Sequence, residues 1–175
     1  MGVSARLYVG TADGLLILGV PAGPGPLQEL GRALEPLGAT ITNAAVSVTI
    51  ARTLAARPTL GRLLVLLHTV IEPQLDFETA RSFKLFLRDL VQRLSSLFAA
   101  SLPGLGTPEA VTFVLQIHAL VISVSQLAAP PPIIAQVLAE DASLQAMRVE
   151  FEPFLAVTLA TLLRGTLQGE RTIQK

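Results

Sequence analysis

Apolar residues recur along this chain at spacings of three and four rather than two. That is the period of a helix buried on one side, not of a half-buried strand. Glycine and proline cut the pattern into blocks. Leu27, Leu30, Leu34 and Leu37 form a short stripe opposite Gln28, Glu29, Arg32 and Glu35, and Gly38 ends it. Thr42 to Ala56 carries Val46, Ile50 and Leu54 and stops at Arg57-Pro58, because the residue before a proline is pushed out of the helical region. Thr59 to Ile71 follows, with Leu60, Leu63, Leu64, Leu67 and Ile71 on one side, His68 bordering that surface and Pro73 closing the block.

The longest predicted helix runs from about Phe77 to Ala100, with Asp76 as N-cap and Glu78 at the positive end of the helix dipole. Its apolar stripe is Phe83, Phe86, Leu87, Leu90, Leu94, Leu97 and Phe98; Glu78, Arg81, Lys84, Arg88 and Gln92 form a solvated face. After the turn at Pro103-Gly104-Leu105-Gly106, Thr107-Pro108-Glu109 restarts the chain, with Thr107 as the expected N-cap. The helix from Pro108 to about Leu127 carries one charge, Glu109, so it is expected to be buried in a core or against a partner. Ala128 to Pro132 is a rigid connector and Pro132 to Ala139 a shorter helix. The last long helix spans Val149 to about Gln168, where Pro153 either begins the regular part or kinks it. The fold class is therefore all-α, a multi-helix bundle, with a Gly/Pro linker at 19–26, a helical domain at 27–168 and a frayed polar tail at 169–175.

Composition narrows the function. Of the 175 residues, 51% are apolar and 15% charged, and the formal net charge is zero. This is rich core material with too little surface to cover it, so some apolar faces need a partner. With a pI near 6.7, the chain has no electrostatic footprint for nucleic acid or anionic lipid. The lack of cysteine rules out disulfides and thiolate chemistry. His68 and His118 are the only histidines and lie in separate apolar segments; no metal or cofactor is expected. Ala110 to Ala129 is long enough to cross a membrane, but it contains Gln116, His118, Ser123, Ser125 and Gln126 and has no flanking cationic anchors. A buried helix and no membrane partner is the expectation. None of the common catalytic motifs is present, so the chain is not expected to be an enzyme.

Gly2-Val3-Ser4, Leu7-Tyr8, Gly10-Thr11 and Leu15-Leu16 resemble the end of the helix-turn-helix domain of TetR-family regulators. Leu54 to Pro58, Leu63 to His68, Ile71-Glu72, Ala80-Arg81, Phe83-Lys84, Leu102 to Leu105 and Leu162 to Gly165 resemble, in the same order, a TetR C-terminal domain. The resemblance implies a cytoplasmic transcriptional regulator, a repressor in its family's manner, that forms a homodimer through its last two long helices and senses a small, largely apolar effector. Residues 1–18 are then the remnant of a DNA reader, carried by Ser4, Arg6, Tyr8 and Thr11. Its two upstream helices are expected to be lacking, and DNA becomes a partner only if a complete helix-turn-helix is restored. Arg6 and Arg32 are the only cations in the first 40 residues, few for phosphate contacts.

An apolar pocket is oriented by a few polar groups. The long central helices offer His68, Gln116 and His118, with Gln126 further along and Phe83 and Phe86 as aromatic walls. The expected dimer interface uses Val121 and Val124 on one helix and Phe154, Val157 and Thr161 on the other, a four-helix isologous arrangement. Two other classes stay open: a stand-alone helical dimerisation module without DNA or ligand, and a membrane-associated helical protein.

Overall fold

The structure is a computed structural model that describes residues 6–11, 14–19, 26–34 and 42–173, with side chains for 30–34 and 42–167. The chain opens with an antiparallel hairpin, β1 (Arg6–Thr11) and β2 (Gly14–Gly19), in which Arg6 pairs with Gly19 and Thr11 with Gly14. This corrects the helical reading of the opening segment. Arg6, Tyr8 and Thr11 stand on a strand rather than a DNA-reading helix, and Ser4 lies outside the described residues. The local chemistry explains the difference: Tyr8, Val9 and Thr11 suit a strand. The Gly/Pro stretch at 20–25 also lies outside the described residues.

From Pro26 onward the elements are helical: α1 (Pro26–Leu34), α2 (Asn43–Ala55), α3 (Pro58–Leu66), α4 (Phe77–Ser101), α5 (Thr107–Ala128), α6 (Pro132–Glu140) and α7 (Phe151–Ile173). Local chemistry sets most ends. Thr42 Oγ1 caps α2 by accepting from the Ala45 N–H at 3.1 Å. Asp76 caps α4 by accepting from the Thr79 N–H at 2.9 Å and its hydroxyl at 2.6 Å. The cap of α5 is Gly106, one residue before the expected Thr107. Arg57-Pro58 breaks the chain between α2 and the α3 segment, which meet at 79°. At its far end α3 widens into a π turn, Leu67–Ile71, and tightens into a 3-10 turn, Glu72–Gln74. Pro73 lacks the N–H that would extend the regular ladder. Gly104 takes φ +86° in the turn after α4, a conformation open to glycine at no steric cost.

Of the two roles expected for Pro153, the structure shows the first: it lies in the first turn of α7, where a missing N–H costs nothing, and does not kink the helix. The helix also continues to Ile173 through residues assigned to a frayed tail; Gln168, Glu170 and Arg171 are good helix formers, and one interior glycine costs only about 1 kcal/mol.

The core is the meeting of α2, α5 and α7. Val46 and Ile50 of α2, Phe113 and Val124 of α5, and Leu155, Leu159 and Leu163 of α7 are all essentially inaccessible. Helix α4 packs on α5, where Phe98 and Phe113 meet edge to face at 5.4 Å, and Leu30 and Leu34 of α1 complete the cluster. Ser47 and Ser95, buried within it, donate to the carbonyls of Asn43 and Val91 at 2.7 Å, which satisfies groups that would otherwise cost stability. Helix α5 is long and apolar enough to cross a membrane, with 28% of that span buried; α3, α4 and α7 pack on one side of it, so burial all round is not met within the protomer.

Helices α3 and α5 approach most closely at Gly61, where a Cβ would overlap Ser125 Oγ and stand 3.2 Å from Ser125 Cβ. Gly61→Ala is therefore expected to lower stability by about 1–3 kcal/mol in urea denaturation. Ser125→Gly in the same chain should recover part of that loss; a double-mutant cycle with coupling below about 0.5 kcal/mol would show that the two residues do not meet.

Candidate functional site

The close approach at Gly61 has a counterpart beside it. Where α3 diverges from α5, an open cleft of about 200 Å³ remains, bounded by the end of α2, the start of α3, the last turns of α5 and the start of α7. Leu54, Pro58, Val121, Ala128 and Phe151 make its wall apolar, and Ser125 adds one hydroxyl. Arg57 and Arg62 stand on the α3 side. Arg57 Nη1 donates to the Thr53 carbonyl at 3.3 Å, and Arg62 is exposed.

None of the five residues expected to line a ligand pocket borders this cleft. Gln116 and His118 are two positions apart on α5, about 200° around the helix axis, so their side chains diverge. Phe83 is buried, at 4% exposure, while Phe86, one turn along the same side of α4, is 43% exposed at the edge of that stripe. Gln126 is exposed on α5. Gln116 Oε1 is buried and has no partner among the described residues. Sequence periodicity identified the polar groups on apolar helices, but not the direction each one faces.

The two histidines do come together, although 50 residues separate them. His68 Nε2 and His118 Nε2 lie 2.9 Å apart, with ring centroids at 5.1 Å. His68 Nδ1 lies 3.3 Å from Glu72 Oε2, and Lys84 Nζ lies 2.8 Å from Glu72 Oε1 and 5.9 Å from the Phe83 ring centroid. A consistent proton assignment has His68 Nδ1–H donating to Glu72 and His118 Nε2–H donating to His68 Nε2. The chain Lys84, Glu72, His68, His118 thus stitches α4, the distorted end of α3, and α5. Burial and the neighbouring His68 hold the His118 imidazole below its ordinary pKa. For Glu72, burial pushes the carboxyl up, but hydrogen bonding and charge from Lys84, with His68 adding, outweigh it and the net shift is down. Among the described residues no group of three or more metal-ligating side chains converges.

The expected interface residues divide. Val121 and Val124 are 2% and 1% exposed within a single protomer, so they belong to the protomer's own core and are not free to face a partner. Phe154 and Val157 are 44% and 69% exposed, and Thr161 is exposed beside them. On α5 the exposed face carries Leu115 and Ala119 instead. The signal was available: Ala110, Phe113, Val114, Ile117, Val121 and Val124 recur at three and four, which places them together on the inward face and Leu115 opposite.

The helical domain has an apolar cleft beside α3 and an exposed face of uncharged side chains on each of its last two long helices. A family model described as "Tetracyclin repressor-like, C-terminal domain" matches residues 26–170. The chain belongs to this family of transcriptional regulators. No curated protein matches it.

The histidine pair makes stability depend on pH. His118 titrates below its ordinary 6.5 in the folded chain, so between that folded value and 6.5 the unfolded chain binds more protons and stability rises with pH. Stability is expected to erode as pH falls below about 6.5, and Glu72, whose pKa is also lowered, adds to the loss below its ordinary 4.5. Urea midpoints at pH 7.5 and 5.5 should differ less for His118→Gln than for the native chain; equal differences would remove His118 from the account.

Proposed function

We propose that this chain is the effector-sensing and dimerisation part of a cytoplasmic TetR-family regulator, a repressor in the manner of its family, and that it responds to a small, largely apolar molecule. The observation that carries the reading is the cleft beside Gly61. It is open on one side and walled by apolar side chains of four helices, with room for a ligand of few atoms. Leu115 and Ala119 on α5 and Phe154, Val157 and Thr161 on α7 supply a contiguous uncharged face, suited to pairing with its copy about a two-fold axis. The same two helices that bear this face also wall the cleft, through Val121 and Ser125 on α5 and Phe151 on α7. An effector that spreads α3 from α5 and α7 would shift the relative orientation of the two protomers, and with it any DNA-reading domains they carry.

Two measurements test this. Light scattering at micromolar concentration is expected to show a dimer, in keeping with an interface on the order of 1,500 Å² or more, and Val157→Glu should yield a folded monomer. Val121→Glu, in contrast, should unfold the protomer, because a buried unpaired carboxylate costs several kcal/mol. A monomeric native chain would end the dimer reading. For the effector, a screen of small hydrophobic molecules by thermal shift should return ligands that raise Tm by mass action, and Ala128→Phe, which fills the cleft, should abolish the response. Hits that bind Ala128→Phe as well as the native chain would place the effector elsewhere.

A further inference from the structure

The charge around the cleft says more about its ligand than its apolar wall does. Among the described residues, Arg57 and Arg62 are the only charged side chains lining it, and no carboxylate does. Beside the lining residue Phe151, Glu152 is engaged with Arg52 at 3.6 Å and Glu150 is exposed. Arg57 is steered by its hydrogen bond to the Thr53 carbonyl. Arg62 makes no hydrogen bond or ion pair among the described residues, and its guanidinium is free to fold over the opening. A neutral apolar ligand would shut water away from the Arg62 guanidinium and offer it nothing. A carboxylate would meet it with charge-assisted and, for arginine, bidentate hydrogen bonds.

Size bounds the rest. A dry cavity of about 150 Å³ accepts the six carbons of benzene, so about 200 Å³ takes roughly eight apolar atoms, with a headgroup left at the mouth. Resting on the effector reading above, we propose that the cleft binds an amphipathic monocarboxylate, an aliphatic or aromatic acid of about ten non-hydrogen atoms. The tail lies against Leu54, Val121 and Phe151, and the carboxylate is held by Arg62 with Arg57 beside it.

The experiment compares octanoate with octanamide, equal in size and shape but uncharged, by calorimetric titration of the full chain. Octanoate is expected to bind about tenfold or more tightly, the margin that hydrogen bonds to a charged group provide, and to weaken as salt is raised. Arg62→Gln should erase that margin while leaving octanamide binding unchanged, and Arg62→Lys should keep part of it. Equal affinity for acid and amide, unmoved by Arg62→Gln, would overturn the carboxylate assignment and leave the effector cleft standing. Failure of both probes to bind, together with the same thermal-shift hits in Ala128→Phe as in the native chain, would overturn the cleft as a site and this proposal with it.

Discussion

Helices α2 and α7 share the most extensive packing in the domain, and the position of every other helix follows from it. Val46 and Ile50 meet the row Leu155, Leu159 and Leu163 with essentially no exposure. Burying each such side chain contributes about 1.5–3 kcal/mol, while the surface ion pair Arg52 to Glu152 between the same helices is exposed and worth little. Two helices so joined leave one groove, and α5 fills it with Phe113, Val121 and Val124. A helix held on that side presents its opposite face outward. The exposure of Leu115 and Ala119 is therefore a consequence of the core, not a separate property of the surface.

The cleft has the same origin. Once α5 is seated, α3 can reach it only where side chains are small, and Gly61 against Ser125 is that place. On one side of this contact the helices separate and the cleft opens beneath Arg57 and Arg62. Further along α3, the helix loses its regular ladder ahead of Pro73, and the gap to α5 is closed by polar groups instead of packing. Apolar contact near one end and a histidine pair near the other hold α3 at an angle that neither would impose alone.

The network of Lys84, Glu72, His68 and His118 sits at the boundary between core and solvent, with Glu72 more enclosed than Lys84 or His68. Full burial would make each charge expensive, and full exposure would make each pair weak. The half-buried arrangement lets one carboxylate accept from a lysine and a histidine at once while a second histidine stays neutral. Its connection to α3, α4 and α5 places a titratable joint on two of the helices that border the cleft without putting it in the cleft.

Much of this fold was legible in the sequence. Helix blocks, their stops at Pro58 and Pro73, the Asp76 cap and the burial of Leu30, Leu34, Val46 and Ile50 all follow from periodicity and local backbone chemistry, which act over a few residues. The opening hairpin is less legible, because its motif resembles a helix end while Tyr8, Val9 and Thr11 have the side chains that suit a strand. The site was legible only as residue types. That Gln116 and His118 diverge, that His68 finds His118 across 50 positions, and that Val121 turns inward while Leu115 turns outward depend on which face of each helix meets which neighbour. Sequence by itself determined the helices and the near absence of charge on α5, where Glu109 is the one charged residue. Only tertiary packing decided where the cleft lies and which side chains border it, because a cavity is the space that packed helices fail to fill, and no local pattern records that.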